Sequence, residues 1–347
     1  MGSEEEDKDQ EERPVLKRQP EKWGNPLRDL IDGLPLEYVE YVFAYGSGVI
    51  QQQNEPMSDK MVDFIVVTRD TPGFHEANRQ QNPRHYSAIR FLGTNKLVQL
   101  QRYFGARLFF NTRVKTPYGR MIKYGIIDTK DLQEDLLEWR YLYASGRLHK
   151  PVVDVLGPSN AIRLNIEENR RSALQVALLQ LPETFTLTDL IYKITRISYD
   201  GDFRLTIGED KNKIKKVAMG AFDEFSAIYT PMLTADTRVF RSESGDRFEH
   251  DTSTPAIYHR LNLLPSNVLE RMAGLYWYRD PRHRDIEEMV FRMSHRHDVT
   301  DQMTDVIRKI VRNNSLSQTA KNAITAGFTR SIAYSWTKLA KMFRSMR

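Results

Sequence analysis

The sequence predicts an α+β protein in which a small mixed sheet comes first and a mainly helical part follows. Three observations support this prediction. Strand and helix patterns alternate from Pro26 to about Pro151, and apolar residues recur at helical spacing from about residue 166. The segment 318–347 shows the pattern of a basic amphipathic helix.

In the first part, "YVEYVFAY" and "VDFIVV" predict strands, "NKLVQLQRYF" predicts a helix, and "RLFFNTRVK" and "RMIKYGII" predict two more strands. A Pro-Tyr-Gly turn at 117–119 joins the last two strands as a hairpin. "TKDLQEDLLEWRYLYASGRL" predicts one amphipathic helix that Thr129 caps.

In the second part, "EENRRSALQVALLQL" predicts a helix that ends at Pro182, and Thr186 or Thr188 opens the helix "LTDLIYKITRI". "RDIEEMVFRM" and "TDQMTDVIRKIV" predict further helices. The predicted units are a disordered acidic head (1–22), a mixed-sheet domain (23–168), a helical domain (169–312) and a basic amphipathic segment (313–347).

The composition excludes several classes of protein. The chain of 347 residues contains no cysteine, so disulfides, thiolate nucleophiles and zinc–thiolate sites are excluded. No apolar run approaches the roughly 18 residues that cross a bilayer. The net charge of +5 hides opposite ends, because residues 1–12 carry seven acids and one lysine, whereas 318–347 carry six basic residues and no acid.

A Gly-Ser-Gly turn follows the first predicted strand, and Asp63 lies inside the second. Gly46 and Gly48 let the backbone approach an anion, so that N–H groups bind phosphate oxygens, and Ser47 adds a hydroxyl donor. A carboxylate in an apolar strand is costly unless it is paired or metal-bound. Mg²⁺ on a triphosphate would satisfy Asp63. The alternative is a plain glycine-rich turn with an acid at a strand end.

Isolated cations are candidates for phosphate contacts. Lys123 in "RMIKYGII" either points to solvent or neutralises charge on a transferring phosphoryl group. In "YDGDFRLTIGEDKNKIKK", Arg204 and Lys213 are placed to contact a polyphosphate, with Asp200 or Asp202 holding them. A solvated turn between helices is the alternative for this segment.

The segment 318–347 places its large apolar residues on one helical face and most of its cations on the other, with Lys321 as the exception. This pattern is typical of a helix that lies on an anionic membrane surface. A docked helix of the core is the alternative.

Six stretches together resemble the mitochondrial CDP-diacylglycerol synthases, the translocator-assembly-and-maintenance family. They occur in order between about residues 24 and 330: "FAYGSGVIQQ", "MVDFIVV", "HYSAIRFLG", "IKYGII", "DLLEWRYLYASGRLHKPV" and "YDGDFRLTIGEDKNKI". The resemblance implies a nucleotidyltransferase-like first domain, a winged-helix-like second domain and a C-terminal membrane-associating segment.

The implied reaction joins CTP to phosphatidic acid with Mg²⁺, giving CDP-diacylglycerol and pyrophosphate for cardiolipin and phosphatidylglycerol synthesis. Its implied place is the matrix side of the inner mitochondrial membrane, as a peripheral protein. The predicted catalytic residues are Asp63, which also binds the metal, and Lys123. The predicted substrate-binding residues are Tyr45, Gly46, Ser47, Arg204 and Lys213.

One position departs from the general nucleotidyltransferase pattern, which has a second acid two residues after the first. Here that position holds Ile65. We expect no nucleic-acid partner, and the sequence leaves a homo-oligomer open. Two alternatives remain at this point: a nucleotidyltransferase that acts on a soluble or RNA acceptor, and a non-catalytic membrane-bound assembly factor.

Overall fold

The first half of the chain forms a five-stranded mixed sheet with the strand order β3-β4-β2-β1-β5. The computed structural model describes residues 26–50, 60–204, 212–242, 247–277 and 285–326, so the predicted acidic head lies outside them. The strands are β1 (Val39–Tyr45), β2 (Val62–Thr68), β3 (Phe109–Lys115), β4 (Met121–Asp128) and β5 (Val153–Leu156). The first four confirm the predicted strands.

Both faces of this sheet are buried, which explains why its strands read as nearly continuous apolar runs. Val62, Phe64 and Val66 belong to one core cluster, and Ile65 and Val67 to the other. Strands β2 and β4 run parallel, whereas the other neighbouring strands are antiparallel. The Asp63 side chain therefore lies on the face of Ile65 and Val67.

Short helices cover the sheet: α1 (Pro26–Asp29), α2 (Thr71–Gln81), α3 (Thr94–Tyr103), α4 (Thr129–Glu138) and α5 (Ser145–Leu148). Three 3₁₀ helices accompany them: Leu36–Tyr38, Pro83–His85 and Ala88–Leu92. Helix α3 confirms the helix predicted there.

The single helix predicted from Thr129 through residue 148 is wrong. Helix α4 ends at Glu138, because Trp139 is left-handed with φ of 55°. The cap is Asp128, which accepts a hydrogen bond from the Lys130 amide, and not Thr129. A separate short helix, α5, follows after a loop.

The second half is mainly helical. Its helices are α6 (Asn160–Leu179), α7 (Leu187–Ile197), α8 (Lys213–Gly220), α9 (Phe222–Thr234), α10 (Thr254–Asn262), α11 (Ser266–Trp277), α12 (Ile286–Ser294) and α13 (Val299–Ala326). Thr186, and not Thr188, caps α7 through a capping box with Asp189.

A three-stranded antiparallel sheet accompanies these helices, with the order β6-β8-β7. Its strands are β6 (Thr184–Thr186), β7 (Val239–Arg241) and β8 (Arg247–His250). The sequence showed no regular pattern for the last two. The chain is thus an α+β protein with a mixed sheet, as predicted.

Two helices cross the predicted domain boundaries. Helix α6 runs through 168/169, and α13 runs through 312/313. In α13, the last turns dock on the first half of the chain: Gln318 and Lys321 are both 2% exposed or less. For residues 318–326 the expectation of a membrane-facing helix is therefore wrong, and the docked alternative holds. Residues 327–347 of the predicted segment lie outside the described residues.

Within the described parts of the chain, no helix is both long and apolar enough to span a bilayer.

Candidate active site

Three of the predicted residues are neighbours at one end of the five-stranded sheet. Asp63 on β2 pairs with Tyr45 on β1 and with Lys123 on β4. The Lys123 Nζ lies 3.4 Å from the Asp63 Oδ1 and 4.6 Å from the centre of the Phe110 ring. Because the Lys123 side chain is only 16% exposed, the alternative in which it points to solvent is wrong.

The Gly-Ser turn closes over this pair. Gly46 has a φ of 78°, and its carbonyl oxygen accepts hydrogen bonds from the amides of Val49 and Ile50. A Cβ at Gly46 would lie 3.8 Å from the Asp63 Oδ2, so the turn and the carboxylate are adjacent, with Ser47 next in the turn. Gly48 has a different requirement, because a Cβ there would approach the Met61 carbonyl oxygen to 2.6 Å.

The Asp63 carboxylate fits a hard cation. Its Oδ1 is buried and, among the described residues, accepts no hydrogen bond, although the Lys123 ammonium lies nearby. A buried carboxylate oxygen that accepts no hydrogen bond is able to bind a further ligand. The described residues contain no group of three or more His, Asp or Glu side chains that could hold a metal. Asp63 is thus suited to Mg²⁺ only where phosphate and water oxygens complete the coordination.

Arg147 on α5 is a site residue that the sequence prediction missed. Its guanidinium lies 5.0 Å from the centre of the Tyr45 ring and 3.9 Å from that of Tyr143, and it donates to the Tyr143 carbonyl oxygen. Burial acts to raise the pKa of Tyr143, but Arg147, Arg204 and Lys123 together lower it. Burial raises the pKa of Tyr45 against the same kind of opposition from Lys123 and Arg147. Both tyrosine side chains therefore lie close to positively charged side chains.

Lys150, also missed, extends this cluster toward the second half of the chain. Its Nζ donates to the Ser198 Oγ at 2.6 Å and to the Gly146 carbonyl oxygen. Lys150 and Lys213 lie 5.0 and 5.4 Å from the centre of the Tyr199 ring. Burial, with repulsion from Arg147 and Lys213, lowers the pKa of Lys150 to about 7. Such a shift is typical of functional sites.

Arg204 approaches the cluster from the segment that precedes α8. The Asp202 carboxylate accepts two hydrogen bonds from the Arg204 Nε, at 2.9 and 3.0 Å, and holds the guanidinium in place. Asp200 does not share this task, because it pairs with Arg196. The positive charge of Arg204 acts on both Tyr143 and Arg147.

The structure thus brings the predicted residues together with two that were not predicted. "SGRLHK" (145–150) carried a signal, since three basic or titratable side chains follow a Ser-Gly pair. That signal was hidden because the segment read as the end of a helix. One carboxylate, a glycine turn and five cations from both halves suit a site that binds a polyphosphate beside a second anion. The cations are Lys123, Arg147, Lys150, Arg204 and Lys213.

The comparison with protein families decides among the enzymes that such a site could serve. The sequence profile described as "Phosphatidate cytidylyltransferase, mitochondrial" matches residues 27–341. The chain belongs to this mitochondrial phosphatidate cytidylyltransferase family. The family predicted from sequence motifs is confirmed, and the chain is a nucleotidyltransferase by its membership.

Relatives with the same name, "Phosphatidate cytidylyltransferase, mitochondrial", agree with this membership. The relative from Caenorhabditis elegans is 50% identical over 318 residues, which cover 92% of this chain and 98% of the relative. The Xenopus laevis relative is 37% identical, covering 93% and 96%, and that of Drosophila melanogaster is 37% identical, covering 91% and 98%. The comparisons support neither alternative, the enzyme with a soluble or RNA acceptor or the non-catalytic assembly factor.

A solved structure of a nucleotidyltransferase-like protein from Exiguobacterium sibiricum covers 86% of this chain and 77% of its own, at 11% identity and a TM-score of 0.23. A TM-score this low supports no conclusion about the fold of this chain.

Proposed function

We propose that the site around Asp63 transfers the cytidylyl group of CTP to phosphatidic acid, giving CDP-diacylglycerol and pyrophosphate. The observation that carries this proposal is the meeting of Asp63 and the Gly-Ser turn with cations from both halves of the chain. One half contributes Lys123, with Nζ at 3.4 Å from Asp63, and the other contributes Arg204 and Lys213.

In this proposal Gly46 and Ser47 bind the β- and γ-phosphates of CTP, and Asp63 holds Mg²⁺. The bound cation would neutralise part of the triphosphate charge. Lys123, whose Nζ lies 3.4 Å from the Asp63 carboxylate, would lie near the reacting phosphates. Tyr45 orients Arg147 through its ring, which lies 5.0 Å from the guanidinium.

The reaction forms a bond between a phosphate oxygen of phosphatidic acid and the α-phosphorus of CTP. The bond from the α-phosphorus to the bridging oxygen breaks, and pyrophosphate leaves with the electron pair. The attacking phosphate monoester is largely ionised at neutral pH, so no strong general base is required. The main obstacle is the approach of two anions, which Arg147, Lys150, Arg204 and Lys213 reduce by neutralising charge.

The missing second acid agrees with this chemistry. Ile65 is fully buried in the core between the sheet and its helices. A carboxylate there would be desolvated beneath the site and not exposed to a metal. A cation at Asp63 therefore depends on substrate oxygens more than in sites with two acids.

The decisive experiment incubates the full chain with cytidine-labelled CTP, phosphatidic acid and Mg²⁺ and follows label into the organic phase. Asp63→Asn should reduce this transfer by at least about 10³-fold, because it removes the metal-binding charge. Asp32→Asn is the control, since the side chain of Asp32 is 54% exposed on the surface. Full activity of Asp63→Asn, with its melting temperature unchanged, would refute the assignment of Asp63.

We further propose that the enzyme acts as a peripheral protein on the matrix side of the inner mitochondrial membrane, where its product enters cardiolipin and phosphatidylglycerol synthesis. The lipid substrate and the sequence of residues 327–347, with five basic residues and no acid, support this location. Protease digestion of mitochondria tests it, because the chain should be cleaved only after the inner membrane has been opened.

A further inference from the structure

Four strongly exposed apolar side chains lie close together in the sequence of the first half. Phe91 and Leu92, at the end of a 3₁₀ helix, are 77% and 57% exposed, and Tyr103 and Phe104, at the end of α3, are 78% and 61% exposed. Phe91 and Tyr103 are the two most exposed large apolar residues in the described parts of the chain. These four residues are called the aromatic patch below.

The two pairs of the aromatic patch flank the end of α13. The Ser87 Oγ, four residues before Phe91, donates to the Thr325 carbonyl oxygen at 2.6 Å. The Lys321 Nζ donates to the carbonyl oxygens of Gln101 and Phe104. The last described turns of α13 therefore contact both of the segments that carry the aromatic patch.

The part of the chain that carries the aromatic patch is strongly basic. Residues 77–127 contain ten Lys or Arg and no acid. Lys96 and Arg102 on α3 are exposed, and the Arg90 guanidinium lies 4.7 Å from the centre of the Phe91 ring. The continuation of the chain, 327–347, adds five more basic residues and again no acid. Exposed aromatic residues in a field of cations match a bilayer with anionic headgroups.

We propose that the aromatic patch inserts into an anionic bilayer and is the membrane-contacting surface of the described part of the chain. A soluble acidic partner would match the charge, but it would leave four protruding apolar side chains without an apolar environment. The acyl chains below the headgroups provide one. The proposal rests on the proposed function only in that a lipid is the substrate.

The absence of cysteine allows a direct test of insertion. Leu92→Cys, labelled with the environment-sensitive fluorophore nitrobenzoxadiazole, is mixed as the full chain with phosphatidylcholine vesicles that contain phosphatidylglycerol. Emission should shift to shorter wavelength, and lipids with a doxyl group on the acyl chain should quench it. The matched control is Phe240→Cys, because Phe240 is 62% exposed on β7 in the second half. The emission of the label in this control should not change when vesicles are added.

Two outcomes would overturn the proposal. In the first, the Leu92→Cys label is already shielded without vesicles, which would show that residues 327–347 cover the patch. In the second, the protein sediments with the vesicles while the label stays in water, which would show that another surface binds. Neither readout needs turnover, so a failure of the proposed catalytic function is seen separately.

A second pair of variants measures the contribution to binding. Phe91→Ser with Phe104→Ser should reduce sedimentation with anionic vesicles by about tenfold, whereas Phe240→Ser should leave it unchanged. Turnover of detergent-dispersed phosphatidic acid should stay the same in all of them. Equal sedimentation of the double variant and the unaltered chain would contradict insertion.

Discussion

At the scale of residues, the candidate site depends on Arg147 as the link between the two halves of the chain. Its guanidinium contacts the rings of Tyr45 and Tyr143. Its charge also acts on Lys150, whose buried ammonium faces the ring of Tyr199. Arg147 therefore lies between the cations near Asp63 and those near Lys213 in this chain of interactions.

Arg147→Gln should therefore lower kcat/KM for labelled CTP and phosphatidic acid by about 10²-fold, because one preorganised charge at the reacting phosphates is lost. Arg147→Lys should recover part of this loss, since it restores the charge but not the planar contact with the tyrosines. The rate of label transfer to lipid measures both.

The matched control for Arg147 is Arg140→Gln, since Arg140 is half-exposed and pairs with Glu134 at 2.7 Å. A loss of activity as large in this control as in Arg147→Gln would mean that general charge, and not the site, is responsible.

At the scale of elements, one carboxylate shapes the loop that presents Arg147. Asp135 is 1% exposed and accepts hydrogen bonds from the backbone amides of residues 141–145, at 2.7 to 3.2 Å, and from the Ser145 hydroxyl. Charge-assisted bonds of this kind are the stronger ones. They offer the backbone an alternative to helix, which is why α4 stops at Glu138.

Asp135→Asn should lower the free energy of unfolding by about 2–4 kcal/mol, because a neutral amide satisfies these N–H groups poorly. Urea unfolding measures the change. Glu138→Gln on the same helix is the control and should change stability by less than about 0.5 kcal/mol. An unaltered unfolding midpoint for Asp135→Asn would show that the loop holds its shape without this charge.

Another element-scale feature is the buried Lys321 in the last turns of α13. Burial lowers its pKa from 10.5 to about 7, and the charge of Asp131 opposes this shift. Between these two pH values the unfolded chain binds more protons than the folded chain, so stability rises with pH. Below about pH 7 both states carry the proton, and the contribution is constant.

The Lys321→Met variant has no ionisable group at this position, so this position no longer makes its stability depend on pH. We expect the stability of the unaltered chain, relative to Lys321→Met, to increase between about pH 7 and pH 10 and to stay level below about pH 6. Paired urea unfolding curves across this range measure the difference. A difference independent of pH would mean that Lys321 keeps an ordinary pKa in the fold.

At the scale of the whole molecule, α13 ties the two halves together. Its first turns place Val306, Ile307 and Ile310 in the core of the second half. Its last turns reach the first half, where Gln318 accepts a hydrogen bond from the Ala106 amide at 3.0 Å and donates to the Leu108 carbonyl oxygen at 3.1 Å. The arrangement of both halves around the site therefore depends on this helix.

Two truncations separate this structural role from membrane binding. A chain that ends at Ala326 keeps all the described contacts of α13, so its melting temperature should be unchanged while its binding to anionic vesicles falls. A chain that ends at Arg312 loses the contacts of Gln318 and Lys321 and should melt at lower temperature and lose activity on detergent-dispersed phosphatidic acid. Equal melting temperatures for both would contradict the docking of α13.

Local pattern was enough to predict the four strands β1 to β4, the Gly-Ser turn, Asp63 and Lys123. Strand alternation and a charged residue in an apolar strand can be recognised within a few residues of the chain, and the longer motifs identified the family.

Tertiary contacts decided the rest. Asp135 ends helix α4 although the apolar periodicity of the sequence continues beyond it. Lys321 is buried where it donates to carbonyl oxygens of α3 and the following loop, although the sequence around it has the pattern of a membrane-surface helix. Arg147 and Lys150 meet Lys213 only because α5 packs on the end of α7, where a Cβ at Gly146 would approach that of Ser198 to 2.5 Å. Such contacts join residues far apart in the chain, and no periodicity within one segment records them.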